Sequence, residues 1–437
     1  MLVLFAAFSL RILYTLLFFS STHIEAEDQL LYLSLAESIS NGSWSAITPE
    51  RTPGYPIFLA AVFFFFGQEY WPVLIIQALI DALTCILIGL LAIKVFGRGG
   101  VLAGMLAAIN LNMIVLSAMV LTDSLFLFLL TWSLLLAVSY IRECKPAYFI
   151  SAIALLGLAT MIRSAGYYLI PLLMMALLVA ALSHRSQMRD LFSMIVVSLL
   201  ALGATLSPQH LRNWNTYQST AFISQGGTHL LGWVVPAVYQ YSGKGSYEEG
   251  QGLSSKHLKA HMVASGMTTL PPNPFEASSF QSTVAVSMLQ EFGMGSVLKA
   301  WVVGNAINMA APSAAFAPVV RSMEHPSFYA TPGNGAFEKL WNYVTDTSGW
   351  LYLSILVTGT LTSLVFCMLF AVGWLFALRD KLESGRQALL LLTLVLLYFF
   401  AVTGPIIGSK YRLPIEPVMT IFVTYAILRF ADRWRVR

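Results

Sequence analysis

The sequence predicts an all-α polytopic membrane protein with about ten transmembrane helices. Of its 437 residues, 57% are hydrophobic and only 11% are charged, whereas soluble domains carry about 25% charged residues. Because so few charges cannot cover a soluble surface, lipid must cover much of this chain. The formal net charge of +4 is small and spread out, which argues against a nucleic-acid-binding protein.

Ten apolar runs approach or exceed the length needed to cross about 30 Å of hydrocarbon. The first run lacks a basic start and a small-residue cleavage site, so we interpret it as an uncleaved helix rather than a signal peptide. The runs lie near residues 2–20, 71–96, 101–120, 122–141, 147–162, 165–182, 191–207, 350–377, 388–406 and 415–431.

Lysine and arginine in alternate short connections predict the orientation of the spans, since cytoplasmic loops are enriched in these residues. Both termini are then cytoplasmic, and the loops 21–55, 208–349 and 407–414 face outward. We expect no large appended soluble domain, and the three cysteines lie outside the long loop. We therefore expect a bacterial inner (plasma) membrane protein whose active site faces the periplasm or exterior. The basic residues used are Lys94, Arg98, Arg142, Lys145, Arg185, Arg189, Arg379, Lys381, Arg386, Arg433, Arg435 and Arg437.

Three regions follow from this pattern. Residues 1–207 form an N-terminal transmembrane catalytic core with interfacial helices at 28–67, and residues 350–437 form C-terminal transmembrane helices. Between them, residues 208–349 form a periplasmic or luminal loop of mixed short elements, punctuated by glycine and proline. Its seven basic and seven acidic residues cancel. Within it, Val297–Ala311 is apolar but short, which favours an interfacial helix.

The first outer loop carries the clearest candidates for chemistry. An apolar face at helical spacing follows Glu27 and Asp28, which predicts an interfacial helix with carboxylates at its N-terminus, where the dipole stabilises them. Arg51 opens a turn before a second short apolar helix. In one interpretation, the carboxylates and Arg51 are a base beside a cation that binds an anionic leaving group. Alternatively, the acids cap a surface helix and Arg51 balances them.

These motifs resemble the GT-C glycosyltransferases that use polyprenyl-phosphate sugars, such as the protein O-mannosyltransferases and the aminoarabinose transferases. The resemblance covers most of residues 1–220 and the last thirty residues, and it rests on the order of the motifs and their predicted topological side. The matching residues are Asp28 with Tyr32, Ala36, Gly42, Arg51-Thr-Pro-Gly-Tyr-Pro56, Thr122-Asp123-Ser124, Gly157-Leu-Ala-Thr-Met-Ile-Arg163, Pro208 with Arg212-Asn213, and Tyr411-Arg412-Leu-Pro-Ile-Glu-Pro417.

The resemblance implies that Asp28 is the catalytic base and that Asp123 is a second acid at the site. The family pattern reads Asp-Glu, whereas here Glu27 precedes Asp28 and Gln29 follows it. Arg51, Lys410 and Arg412 would bind the phosphate. Arg163 either lines the site or anchors the interface, and Arg212 either joins the site or contacts a headgroup. The substrate-binding residues predicted in this way are Glu27, Tyr32, Arg51, Tyr55, Arg163, Arg212, Lys410 and Arg412.

The function implied is an inverting transfer of a sugar, hexosyl or pentosyl, from a polyprenyl phosphate to an acceptor hydroxyl. The donor is a substrate, so no cofactor is predicted, and neither is a divalent metal. The partners are the lipid-linked donor, membrane lipid and a glycan, lipid or protein acceptor, with no nucleic acid. The alternatives are a polysaccharide polymerase or ligase, which would not need the Asp28 and Arg51 elements, and a flippase or transporter, which would concentrate its charges at the midplane.

Other polar residues allow more than one interpretation. Asp81 and Gln77 share one face of the second span, and we expect a structural pairing with Asn110 and Asn112 in the next helix. Arg11 lies midway along the first span and either faces a cavity or pairs with an acid. His257 and His261 have the spacing of a helical metal pair, but no third ligand follows them, so a polar loop face is favoured.

Overall fold

A computed structural model of the protein describes residues 1–20, 24, 28–43, 48–184, 187–328, 330–333, 335–380, 382 and 385–435. Within these ranges the chain is built from helices and turns, with no β-strand. This confirms the predicted all-α class. It also shows that the described part of the long loop is helical rather than mixed.

The first half of the chain contains ten α-helices, counted over the residues that the structure describes. They are α1 Leu2–Phe18, α2 Gln29–Ser40, α3 Gly54–Phe66, α4 Tyr70–Phe96, α5 Gly100–Ala108, α6 Leu111–Ser117, α7 Asp123–Glu143, α8 Pro146–Ile162, α9 Leu169–Ser183 and α10 Met188–Tyr217.

The second half contains helices of 4 to 19 residues followed by three apolar helices of 19 to 30 residues. They are α11 Gly226–His229, a π-helical turn Leu230–Val234, α12 Val235–Tyr241, α13 Tyr247–Ala264, α14 Pro274–Phe292, α15 Met294–Ala310, α16 Pro318–Arg321, α17 Ala336–Asp346, α18 Trp350–Arg379, α19 Gly385–Thr403 and α20 Glu416–Arg435. Residues 409–415 form a 3-10 segment before α20.

Seven helices in the described ranges are long and apolar enough to cross a membrane, or eight if the bent pair α5 and α6 is one span. The chain is therefore an integral membrane protein, but the predicted count of about ten spans is not confirmed. The difference lies in α1 and α8, which are apolar but have only 17 residues each. The two helices α2 and α3 in the first loop form as predicted, and their position in the interface stays a prediction.

The predicted span 101–120 is not one continuous helix, because α5 and α6 meet at an angle of 55°. At the break, the Asn110 side chain accepts a hydrogen bond from Met113 N at 3.2 Å and caps α6. At the end of α5 the Ala108 carbonyl accepts a hydrogen bond from the Arg11 guanidinium at 2.9 Å, and the Ala107 carbonyl, which also accepts from Asn110 N, accepts a second one at 3.4 Å. Arg11 thus compensates for a backbone hydrogen bond that the break removes.

The predicted pairing of Asp81 and Gln77 with Asn110 and Asn112 is wrong. Asp81 forms an ion pair with Arg11, at 2.5 Å between Oδ2 and Nε. The break before α6 instead brings both asparagine side chains to the Glu416 carboxylate. Of the alternatives for Arg11, the structure shows pairing with an acid.

Helix α10 extends well past the predicted end of its span at residue 207, continuing through Pro208 to Tyr217. Its C-terminal end is held by Asn213, whose Nδ2 donates to the carbonyls of Ala221 and Phe222. The polar segment after Pro208 therefore belongs to the helix. We use the name loop domain for residues 218–349, which begin after it. A core containing Val238 and Tyr241 packs this domain against Ile406 and Ile407, beside the last helices.

Candidate active site

A cavity of about 570 Å³ lies between the transmembrane helices and the loop domain. Its walls come from the start of α2, the turn before α3, the start of α7, the link between α8 and α9, the first residues of the loop domain, α19 and the segment before α20. Seven acidic, basic or histidine side chains line it: Asp28, Glu50, Arg51, Asp123, Arg163, His229 and Lys410.

Asp28 and Arg51 form an ion pair at one side of the cavity. Asp28 is the residue before α2, and its side chain makes no capping hydrogen bond to that helix. Arg51 Nη2 donates to Asp28 Oδ2 at 3.3 Å, with 48% of the Asp28 side chain and 16% of the Arg51 side chain exposed. Arg51 Nη1 is buried and has no hydrogen-bond partner in the described part of the chain. The carboxylate is therefore accessible and the guanidinium is only partly satisfied.

The turn that carries Arg51 is fixed against the end of α8. The Thr52 hydroxyl donates to the Ile162 carbonyl at 3.0 Å. Gly54 approaches so closely that a Cβ atom there would lie 2.5 Å from the Met161 carbonyl oxygen. This contact explains why a glycine stands between the two prolines of the turn: only a residue without a side chain lets the start of α3 reach α8.

A second ion pair joins Asp123 and Arg163. Asp123 is the first residue of α7, where the helix dipole stabilises a carboxylate. Arg163 follows the last residue of α8 in an extended conformation, which ends that helix and directs the chain into the link before α9. Arg163 Nη1 donates to Asp123 Oδ1. Both residues line the cavity, so the site-lining alternative is the one that the structure shows for Arg163.

Tyr32 lines the cavity, whereas Tyr55 lies behind it. The two rings meet edge to face with centroids 5.2 Å apart. The Tyr55 side chain is completely buried, and its hydroxyl donates to Gln77 Oε1 at 2.6 Å. Burial raises the pKa of both phenols, so each remains a neutral donor at neutral pH. Tyr55 therefore supports the wall of the cavity and does not line it.

Lys410 and Arg412 have different surroundings although they are two residues apart. Lys410 lines the cavity, and its ammonium lies 5.4 Å from the ring centre of Phe316. Arg412 is buried, pairs with Glu416 at 2.8 Å and donates to the Met309 carbonyl at 2.7 Å. The structure thus brings Lys410 to the cavity and places Arg412 in a packed polar network beside it.

Of two further predicted residues, Arg212 is described and does not line the cavity, and Glu27 lies outside the described residues. Arg212 lies near the end of α10, where its guanidinium donates to the Asn213 side chain at 3.0 Å. Over the described ranges, no cluster of three metal-ligating side chains is present, and His257 and His261 belong to none.

The cavity also contains residues that the sequence analysis did not identify. Glu50 comes from the turn that carries Arg51, Tyr167 from the link that follows Arg163, and Gln225 and His229 from the loop domain. Helix α19 supplies an apolar wall that includes Phe399. The only sequence signal for Glu50 was its position beside Arg51, and the loop-domain residues had none. The apolar side of α19 was indistinguishable from an ordinary lipid-facing surface.

Comparisons with known proteins agree with this architecture. A family model described as dolichyl-phosphate-mannose-protein mannosyltransferase matches residues 50–208, which is less than half of the chain. This stretch contains the Arg51 turn, Asp123 and Arg163. No curated protein sequence matches the chain significantly.

Solved structures match over nearly the whole chain. The archaeal oligosaccharyltransferase AglB from Archaeoglobus fulgidus, in complex with an inhibitory peptide and a dolichol-phosphate, matches with a TM-score of 0.51 and 14% identity, covering 93% of this chain and 46% of AglB. The Archaeoglobus fulgidus oligosaccharyltransferase in complex with Zn and sulfate matches with a TM-score of 0.52 and 14% identity, covering 99% and 50%. This chain thus spans about half the length of those it matches.

A further match is ArnT from Cupriavidus metallidurans bound to undecaprenyl phosphate, with a TM-score of 0.37 and 15% identity, covering 92% of this chain and 73% of ArnT. A score this low carries no argument. The oligosaccharyltransferase matches show a shared fold, and at 14% identity they show the fold alone.

Proposed function

We propose that this chain, which has the GT-C membrane fold, is a glycosyltransferase that moves a sugar from a polyprenyl-phosphate donor to an acceptor hydroxyl. The observation that carries the proposal is the cavity in which an accessible carboxylate, Asp28, lies beside Arg51 and shares the space with Lys410. Transfer from a lipid phosphate needs a base for the acceptor and cations for the leaving group, and these three residues supply both.

In this mechanism Asp28 accepts the proton of the acceptor hydroxyl. The acceptor oxygen attacks the anomeric carbon while the bond from that carbon to the phosphate oxygen breaks. Both electrons of the broken bond stay with the phosphate, which gains one negative charge. A single displacement of this kind inverts the anomeric configuration and needs no covalent enzyme intermediate.

Arg51 and Lys410 stabilise the charge that develops on the phosphate. Because this charge is larger in the transition state than in the donor, fixed cations lower the barrier rather than only tightening binding. Arg51 is suited to this role since its Nη1 has no partner among the described residues. Binding of a phosphate would also satisfy that nitrogen, which otherwise carries the cost of an unpaired buried donor.

Asp123 and Arg163 form the second charged pair of the cavity and orient the acceptor. Their mutual pairing leaves them less able than Arg51 to bind a phosphate. We assign the polar side of the cavity to the sugar and the acceptor, and the wall formed by α19 to the lipid. Hexosyl and pentosyl donors both fit this chemistry.

The comparisons support the choice of donor. AglB has been solved with a dolichol-phosphate, and the matching family model names a dolichyl-phosphate sugar as donor. The basic residues of the short connections support placing the cavity at the periplasmic or exterior side of a bacterial inner membrane.

Mass spectrometry of envelope glycans, glycolipids and glycoproteins tests this function in cells that lack the protein. The deletion is complemented with wild type or with Asp28→Asn at matched expression. We expect one sugar modification to be lost, to return with wild type and to stay absent with the variant. Full restoration by Asp28→Asn would overturn the assignment of the base.

A second comparison with purified protein separates transferase from polymerase or ligase activity. Donors that carry one sugar on a lipid monophosphate are compared with donors that carry an oligosaccharide on a lipid diphosphate. The proposal requires turnover of the monophosphate. Turnover of the diphosphate alone would support a polymerase or ligase, and movement of lipid without transfer would support a flippase.

A further inference from the structure

His229 is a titratable residue of the cavity that the mechanism above does not use. It is the last residue of α11 in the loop domain, next to the Gln225–Gly226 edge of the cavity wall. Its side chain is partly buried, and within the described ranges its imidazole makes no hydrogen bond, whereas its backbone N–H donates to the Gln225 carbonyl at 3.0 Å. A polar ring in this position is available to a ligand.

The backbone that carries His229 is fixed rather than loose. Gly227 N donates to Ser278 Oγ at 2.9 Å, and the Thr228 hydroxyl donates to Gln281 Oε1 at 3.0 Å. A Cβ atom on Gly227 would lie 2.0 Å from the Ser278 carbonyl oxygen, so α11 packs directly on α14. The imidazole therefore projects from a well-anchored helix turn.

The other charged and titratable groups that line the cavity with His229 come from outside the loop domain. The first loop contributes Asp28, Glu50 and Arg51, and the segment before α20 contributes Lys410 and Tyr411. The link between α8 and α9 adds Arg163 and the phenols Tyr167 and Tyr168, α7 adds Asp123, α2 adds Tyr32 and α19 adds Tyr398. Helix α14 offers only the neutral Ser278 and Gln281 at the contacts described above.

Burial and, to a smaller extent, the positive charge of Arg51 lower the pKa of His229. The imidazole is thus neutral at pH 7 in the empty cavity, because the ordinary value is already about 6.5. A negative charge placed between Arg51 and His229 would act in the opposite direction. It would screen the histidine from Arg51 and favour the imidazolium form.

We propose that His229 contacts the phosphate of the lipid donor from the loop-domain side and becomes protonated as that phosphate leaves. This inference rests on the proposed function. The donor is a phosphodiester with one negative charge, whereas the product is a phosphomonoester whose second ionisation has a pKa of about 6. An imidazolium therefore pairs more strongly with the product, and with the transition state that leads to it, than with the donor.

The protons balance in this scheme. The acceptor hydroxyl gives one proton to Asp28, which releases it to water after transfer. His229 takes one proton from water as the phosphate gains charge, and returns it when the lipid phosphate dissociates. No oxidant, reductant or further reactant is needed.

The test measures undecaprenyl phosphate as a product inhibitor of the full chain in lipid nanodiscs between pH 6 and pH 8. Wild type is compared with His229→Gln and His229→Asn, which keep one polar atom of the ring but cannot be protonated. His261→Gln is the matched control, since His261 is exposed on α13. Thermal unfolding of each variant checks that it is folded, and two variants guard against a folding defect in one of them.

We expect wild type and His261→Gln to bind the lipid phosphate more tightly as the pH falls towards 6. At pH 6 both His229 variants should bind the lipid phosphate about tenfold more weakly than wild type does, which is equivalent to one pKa unit of coupling. At pH 8 their affinity should differ little from that of wild type. The phosphate also titrates near pH 6, so the difference between variants and wild type is the readout. Variants with the wild-type pH profile would overturn the role of His229 alone. A wild type that neither transfers sugar nor binds the lipid phosphate would overturn the proposed function as well.

Discussion

Two Arg–Asp pairs in this chain have opposite surroundings. Arg11 and Asp81 lie inside the helix bundle, at 0% and 1% exposure, with Nε and Oδ2 only 2.5 Å apart. Every nitrogen of the Arg11 guanidinium has a partner there, including the carbonyls of Ala7 and Ala108. Asp28 and Arg51 share one longer contact at the edge of a cavity. Arg51 keeps a nitrogen without a partner among the described residues.

The comparison distinguishes a pair that supports the fold from a pair that can react. The Arg11 guanidinium offers no unpaired nitrogen to a ligand, and it donates to the Ala108 carbonyl at the break between α5 and α6. The Asp28 pair retains an accessible carboxylate and an unsatisfied cation. A charged residue within a membrane protein is a functional candidate by default, but here its hydrogen bonds decide which role it has.

The largest expected effect is a loss of catalysis on substitution of Asp28, which tests whether the cavity pair is the reactive one. Asp28→Asn should reduce kcat by about 10²–10⁴-fold, because it removes the proposed base. The unfolding midpoint should hardly change, since an exposed pair of this kind contributes at most about 1 kcal/mol. Sugar transfer and thermal unfolding in nanodiscs measure the two effects. Asp432→Asn, which alters the exposed pair with Arg98, is the control and should change neither. A variant with normal kcat would remove the distinction between the two pairs.

Breaking the Arg11–Asp81 pair should have the opposite effect: a large loss of stability rather than a large loss of kcat. Asp81→Leu should lower the free energy of unfolding by about 3–5 kcal/mol, because it leaves a buried cation without its partner. The double variant Arg11→Leu/Asp81→Leu should recover part of the loss, although the Ala108 carbonyl then lacks its donor. Folded yield and thermal unfolding check this, with kcat measured on the folded fraction. Additive losses in the double variant would show that the two charges do not support each other.

A smaller effect is expected from the cation of the cavity pair. Arg51→Gln should lower kcat/KM for the lipid donor by about 10–100-fold, the range expected for one lost hydrogen bond to a charged group. Arg51→Lys should lie between this variant and wild type, because it keeps the charge but not the planar fork. Steady-state kinetics with varied donor provide the measurement. Equal values for Gln and Lys would mean that charge contributes nothing at this position.

The smallest effect is expected from Tyr55, which lies between the Asp28–Arg51 pair of the cavity and the Arg11–Asp81 pair of the helix bundle. Tyr55 packs against the cavity residue Tyr32 and donates to Gln77, which lies one turn from Asp81 on α4. Tyr55→Phe should cost about 1–3 kcal/mol of stability by leaving a buried amide oxygen without this donor. The effect on kcat should be no more than a few-fold. A large loss of kcat at unchanged stability would instead make Tyr55 part of the active site.

Much of the helical framework follows from the sequence because hydrophobicity and helix length are local properties. The GT-C fold and the all-α class are confirmed, and helices α2 and α3 form where the first loop predicted them. The bend at Asn110 and the extension of α10 to Tyr217 were not foreseen. The bend depends on Arg11, a side chain from another helix, and the extension depends on the hydrogen bonds of Asn213 to carbonyls of the turn after α10. The spacing of apolar residues does not predict such hydrogen bonds.

In the candidate site, too, sequence motifs predicted some residues correctly and others not. Asp28, Arg51, Asp123, Arg163 and Lys410 were identified from motifs and all line the cavity. Arg412 matches its motif equally well but is enclosed by Glu416 and backbone carbonyls. Two residues of a 3-10 segment point in different directions, so neighbouring positions in one motif need not share an environment.

The sequence by itself determined that this chain lies in a membrane, where most of its long apolar helices run and which residue types could perform the chemistry. These properties depend on composition and on spacing over a few residues. The tertiary structure decided which charges meet: Asp28 with Arg51, Asp123 with Arg163 and Asp81 with Arg11 are separated by 23, 40 and 70 positions. It also brought His229 of the loop domain to the cavity. Pairing at such separations depends on how helices pack, and that is fixed only when the whole chain has folded.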